Sequence, residues 1–130
     1  MESERSAVID LGGKQYALLL TTRATKQIAK RYGGLEDLGE KLMKSENFEM
    51  AIEEIVWLIV LLASQPIQAY NLTHRDAPLE MLTEDEVELL TSPFELASYK
   101  NAITEALFKG TQRNIESGDE DANSKNTMAG

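Results

Sequence analysis

The sequence predicts a mainly α-helical domain over residues 1–115, with an N-terminal β-hairpin at 7–20, a small bundle of about five helices, and a disordered acidic tail at 116–130. Three observations lead there. Two extended apolar runs flank a Gly-Gly pair near the N-terminus. Apolar residues then recur at helical spacing between polar caps. From Glu116 the chain turns small and polar, a composition that cannot bury enough apolar surface to order itself. A length of 130 residues suits one core and not two.

Ala7-Val-Ile-Asp-Leu11 and Tyr16-Ala-Leu-Leu-Leu20 lie on either side of Gly12-Gly13, with Lys14 and Gln15 opening the second strand. Such runs about a Gly-Gly turn are a hairpin signature, because tight hairpin turns need positive φ. A two-stranded hairpin is marginal in water, so it must pack on helices or pair with another chain. Thr21 and Thr22 then offer an N-cap to a helix over 23–32, whose Ala24, Ile28 and Tyr32 share one face. Gly33-Gly34 stops it. A short helix over 35–43 puts Leu35, Leu38 and Leu42 on one side, with Gly39 leaving room for a neighbouring helix.

Ser45 or Asn47 caps a third helix over 48–64. Its first half is amphipathic, with Glu46, Glu49 and Glu53 on one face. Its second half, residues 55–63 (Ile-Val-Trp-Leu-Ile-Val-Leu-Leu-Ala), is apolar all round, which predicts burial on every side. Gln65-Pro66 ends it, since proline lacks the N–H a helix interior needs. Residues 67–82 read as a long connection with Asn71, Asp76 and Pro78 as turn formers. Thr83 with Glu86, and Ser92 with Glu95, are capping boxes, the second followed by Pro93 at the favoured first position. They open a short helix through Thr91 and a last one reaching about Asn114. Leu96, Tyr99, Ile103, Ala106 and Leu107 form the core stripe of that last helix.

Composition narrows the function. The formal net charge is −9, from 22 acids and 13 bases, which repels nucleic-acid phosphates and anionic lipid. Cysteine is absent, so disulfides, thiolate nucleophiles and zinc-finger ligands are excluded. The N-terminus is charged and has no apolar core of a signal peptide. Residues 55–73 carry no charge, but their apolar part ends at Ala63, well short of the roughly 20 residues a span needs. No membrane segment is expected.

Little in the sequence promises catalysis. His74, the single histidine, lies in the polar connection without a placed serine and acid. Glu46, Glu49 and Glu53 lack the Glu-x-x-His of a di-iron bundle. Glu84, Asp85, Glu86 and Glu88 stand where a helix dipole favours negative charge, and read as a solvated cap. Neither glycine pair continues into a phosphate loop. No catalytic, cofactor or metal residue is assigned, and the chain reads as a binding protein and not an enzyme.

Three features point toward protein partners. Arg23, Lys26 and Lys30 form a basic stripe that is either solvated or a docking strip for an acidic segment. Trp57 lies in the apolar run, which is either simply buried within the monomer or also serves a subunit interface with Trp57 as an anchor. Phe94 and Phe108 lie off the core stripe of the last helix, so they touch the preceding helix or face a partner. Self-association is expected from the apolar helix and the small hairpin.

The order of elements carries a resemblance. Val8-Ile-Asp-Leu-Gly-Gly-Lys-Gln-Tyr16 leads into Leu20-Thr-Thr-Arg-Ala24, then Ala29-Lys-Arg-Tyr-Gly-Gly-Leu35 and an apolar helix with Trp57. Leu82-Thr-Glu-Asp-Glu-Val-Glu-Leu-Leu90 and Ala102-Ile-Thr-Glu-Ala106 follow. Over residues 7–114 this resembles the tail assembly chaperones of long-tailed bacteriophages and related gene transfer agents. The resemblance implies a cytoplasmic protein of the host bacterium that holds the tape measure protein soluble. It also implies help in recruiting tail tube protein, and absence from the finished virion. Many such proteins have a longer form made by ribosomal frameshifting, with which the acidic C-terminus is compatible. A structural or adaptor protein of the tail is the main alternative. A helix-turn-helix regulator built from residues 83–90 and 92–114 is a weaker one, because its acids would oppose phosphates.

Overall fold

The computed structural model describes residues 6–44 and 48–123. It has a hairpin, β1 (Ser6–Leu11) and β2 (Lys14–Leu19), then helices α1 (Thr22–Tyr32), α2 (Leu35–Lys44), α3 (Phe48–Thr73), α4 (Glu84–Leu90) and α5 (Pro93–Asn123). The expected mainly helical architecture, a hairpin followed by five helices, is what forms.

β1 and β2 pair antiparallel with Leu11 opposite Lys14, and Gly12 and Gly13 take φ of 63° and 83° in the turn. That conformation matches the twist of the strands and strains any residue bearing a Cβ. Ala7, Ile9, Leu11 and Leu18 are buried beneath the hairpin. β2 lies along α3 and β1 along α5, and those two helices pack on each other. The hairpin is therefore supported by its own chain. Two carbonyls of β1 are also taken up by α5: Tyr99 Oη donates to that of Asp10, and Lys109 Nζ donates to that of Ser6 at 3.0 Å. Occupied in this way, the β1 edge is a poor template for another strand. Further along α5, a Cβ on Gly110 would lie 2.8 Å from Leu20 Cβ, so the helix passes this point only as glycine.

The helix caps form largely as their sequences dictate. Thr21 Oγ1 accepts from Ala24 N at 3.1 Å, and Gly33, at φ 102°, donates to the Ala29 carbonyl at 2.8 Å. Thr83 and Glu86 complete a reciprocal capping box. Ser92 N donates to Glu95 Oε1 at 2.9 Å and Glu95 N to Ser92 Oγ at 3.4 Å. α4 stops at Leu90, with Thr91 as its C-cap.

α3 departs from expectation. It does not end at Gln65-Pro66 but continues through Pro66 to Thr73, so the connection to α4 shrinks to residues 74–83. Proline removes one donor, but packing on both sides of it outweighs that loss. Leu62, Ala63, Ser64 and Gln65 are all buried. Thr21 Oγ1 donates to Gln65 Oε1 before the proline, and Arg23 Nη1 donates to Gln68 Oε1 at 2.7 Å after it. The apolar run is also not buried all round: Trp57, Val60 and Leu61 are half-buried, while Ile55, Val56, Leu58, Ile59, Leu62 and Ala63 are the core side. By length and composition alone, residues Ile52–Thr73 are sufficient to cross a membrane.

α5 continues past Asn114 to Asn123, so its backbone is helical into the stretch expected to be a tail. Leu96, Tyr99, Ile103 and Ala106 are buried and Leu107 is half-buried, as the stripe predicts. The expected caps Ser45 and Asn47, the acid Glu46, and residues 124–130 lie outside the described residues.

Candidate protein-binding surface

The candidate interaction residues fall into four separate places. Trp57 belongs to a cluster that ties α1 and α2 to α3. Tyr32 meets its ring edge-on, with centroids 6.0 Å apart, and the Arg31 guanidinium lies 4.4 Å above it. Tyr32 Oη donates to Glu54, Arg31 Nε reaches the same carboxylate at 3.3 Å, and Lys41 Nζ stands 4.0 Å away. Burial pushes the Glu54 carboxyl upward, but the hydrogen bonds from Tyr32 and Arg31 and the nearby positive charges outweigh it and hold it below its ordinary value. Burial and the Glu54 contact together push the Tyr32 phenol up. Trp57 is thus an internal anchor with one edge toward solvent.

Arg23, Lys26 and Lys30 are exposed along α1. Arg23 is engaged by Gln68, and among the described residues no ion pair engages any of the three. Phe108 is 63% exposed on α5. It stands apart from Phe94 by about 21 Å of helix.

Phe94 is 89% exposed and sits in a larger feature. Leu89 is 83% exposed and Leu90 51%, on the last turn of α4, and Leu79 and Met81 are exposed on the connection before it. These are five of the nine exposed large apolar side chains among the described residues, and all lie within residues 76–99. The same stretch holds seven acids, Asp76, Glu80, Glu84, Asp85, Glu86, Glu88 and Glu95, and no lysine, arginine or histidine. All seven are exposed. Glu86 and Glu95 serve caps, but the ion pairs among the described residues engage Glu54 and Glu105 and none of these seven.

This acidic, apolar ledge is held firmly from beneath. Leu82, Val87 and Leu96 point into the core. Asn71 clamps the connection: its Nδ2 donates to the Leu79 carbonyl at 3.1 Å, and its Oδ1 accepts from Leu79 N at 2.9 Å. Leu90 rests against the hairpin turn, where a Cβ on Gly12 would come within 3.0 Å of it. Leu79 and Glu80 also line a shallow groove of about 210 Å³ with Lys14, Tyr16, Ala63, Pro66 and Ile67. Large apolar side chains exposed close to one another, as Leu89, Leu90 and Phe94 are along the chain, commonly mark an interaction site.

Phe94 stands out in the sequence, whereas Leu89, Leu90, Leu79 and Met81 do not. A signal for them was present: a base-free run of acids that interleaves with large apolar residues. Among the described residues, no group of three or more His, Asp and Glu is placed to hold a metal ion. Comparison with family models, curated proteins and solved structures finds no match.

Proposed function

We propose that this chain is a tail assembly chaperone of a long-tailed bacteriophage or prophage. It works in the host cytoplasm, holds the tape measure protein soluble, helps recruit tail tube protein, and is left out of the virion. The observation that carries the reading is the ledge, where Leu89, Leu90 and Phe94 stand exposed among unpaired carboxylates on a well-anchored support. A holding protein needs apolar surface for its client and charge to stay soluble while that surface is empty. Helix-on-surface contact is the natural mode for a long helical client. The order of motifs over residues 7–114 supplies the tail-assembly context. Self-association belongs to the proposal, supported by Phe108 and by the half-buried Val60 and Leu61.

Co-expression with a tape measure protein tests it. The expected result is a gain in soluble tape measure protein and co-purification of the two. A tape measure protein equally insoluble with and without this chain overturns the proposal. Mass spectrometry of mature particles separates the chaperone from a structural tail protein, since the chaperone should be missing.

A further inference from the structure

We propose that the ledge at the α4–α5 corner docks a cationic amphipathic helix, seating the apolar side of that helix on Leu89, Leu90 and Phe94 and its lysines or arginines against Glu84, Asp85, Glu88 and Glu95. This deepens the chaperone reading by naming the chemistry of the client segment.

Exposure locates the surface. Leu89 and Phe94 keep 83% and 89% of their surface in solvent, although Val87 and Leu96, two residues from each, are buried. The corner is therefore packed, and it turns these side chains outward. The hairpin turn bounds it on one side, through Leu90 and Gly12.

Charge identifies the occupant. Seven carboxylates and no base lie within residues 76–99; Arg75 and Lys100 flank the stretch and Lys14 shares the groove with Glu80, but no described ion pair neutralises the seven. An acidic helix, an anionic bilayer or a nucleic acid brought here would meet like charge close to low-dielectric apolar surface, where repulsion is strongest. A segment with lysines or arginines flanking an apolar stripe satisfies both features, because i, i+3, i+4 spacing gathers its apolar residues on one face and leaves the bases beside them. The basic stripe of a second copy does not supply that segment. Arg23, Lys26 and Lys30 are on α1, whose apolar residues Ala24 and Ile28 are turned into the core.

Fluorescence anisotropy with the full chain tests the proposal without any phage component. The probe is a labelled leucine–lysine peptide of about 18 residues, long enough to form a helix on a surface. Its controls are the same peptide with glutamate for lysine, and one with its leucines and lysines reordered to abolish the apolar face. The amphipathic cationic peptide is expected to bind, and raising salt from about 0.05 to about 0.5 M should weaken it several-fold. L89S/F94S should lower affinity about tenfold or more, the range of a lost apolar anchor. E84Q/E88Q/E95Q should lower affinity and flatten the salt dependence, with the Glu95 cap kept by glutamine. Circular dichroism and thermal unfolding of each variant should match the parent.

No binding of the cationic peptide overturns the proposal, as does equal binding of the glutamate or reordered peptide, or binding untouched by these variants. Partition of the chain onto zwitterionic vesicles that L89S/F94S abolishes would make the ledge a lipid surface instead. A dimer in light scattering that L89S/F94S dissolves would assign the ledge to a second copy. The two proposals fail separately. Peptide binding without tape measure co-purification removes the phage role and keeps the surface. Co-purification undiminished by L89S/F94S does the reverse.

Discussion

Glu54 and Glu88 are both helical glutamates beside apolar neighbours, yet their surroundings are opposite. Glu54 receives Tyr32, Arg31 and Lys41, and the cations that hold it also lie over the rings of Tyr32 and Trp57. Glu88 stands exposed in a stretch without a base, next to Leu89, which is 83% exposed. In the first region charge and aromatic surface satisfy each other and join three helices. In the second the same two ingredients are displayed unsatisfied. Net charge therefore says little about this protein until it is divided. Glu54 of α3 is tied into the fold, while Asp76, Glu80, Glu84, Asp85 and Glu88 are exposed and engage no described ion pair.

That division can be broken from either side. The largest effect should come from Trp57→Ala, which removes the ring between Tyr32 and Arg31 and should cost about 3 kcal/mol in urea unfolding followed by circular dichroism. Glu54→Ala should cost about 2 kcal/mol, because it strands Arg31 and the Tyr32 hydroxyl. A loss near zero would show that the cluster is decoration.

The same cluster predicts a pH profile. The Glu54 carboxyl is lowered in the fold, so its contribution is complete above the ordinary glutamate pKa of about 4.3 and is lost as pH falls through the lower folded value. The Tyr32 phenol is raised, first by burial and then by Glu54, so its contribution is complete below about 10 and is lost as pH rises toward the folded value. Urea midpoints measured across pH should show both limbs. E54Q should flatten the acid limb and Y32F the alkaline one.

Smaller effects belong to the ledge. Thr83→Ala should cost about 1 kcal/mol by removing the α4 cap. L89S and F94S should each change stability by less than about 0.5 kcal/mol, as exposed positions do. A large stability loss from F94S would mean that Phe94 packs in the fold after all, and would dissolve the contrast with Trp57.

The parts of this molecule legible in the sequence are those decided locally. Gly12-Gly13, Thr21, Gly33 and the two capping boxes act within a few residues, and each does what its chemistry requires. The stripe Leu96, Tyr99, Ile103, Ala106 was legible because α5 is long enough to show a period. Pro66 was misleading because packing holds α3 on both sides of it, and Gln65 and Gln68 are reached by Thr21 and Arg23 from far earlier in the chain. Trp57 was recognisable as an anchor, but not that Tyr32 and Arg31 would enclose it. Phe94 stood out against a regular stripe. Leu89 and Leu90 did not, since α4 has seven residues, too few to separate an inner face from an outer one. Their exposure depends on Val87 being the side chain that enters the core.

The Asn71 clamp divides the connection between α3 and α4 into two parts that should evolve under different rules. Its two hydrogen bonds to Leu79 close residues 72–78 into a ring whose interior touches little of the core. Lengthening such a ring adds only a logarithmic entropy term, so insertions near Asp76 should be absorbed with little consequence. Between Leu79 and Leu82 there is no such slack, because Leu82 is committed to the core and sets where Thr83 begins α4. One residue added there would misplace the whole corner. Related chains would then vary in length before Leu79 and hold a fixed count after it, a pattern of gaps to seek in any lineage that preserves this asparagine.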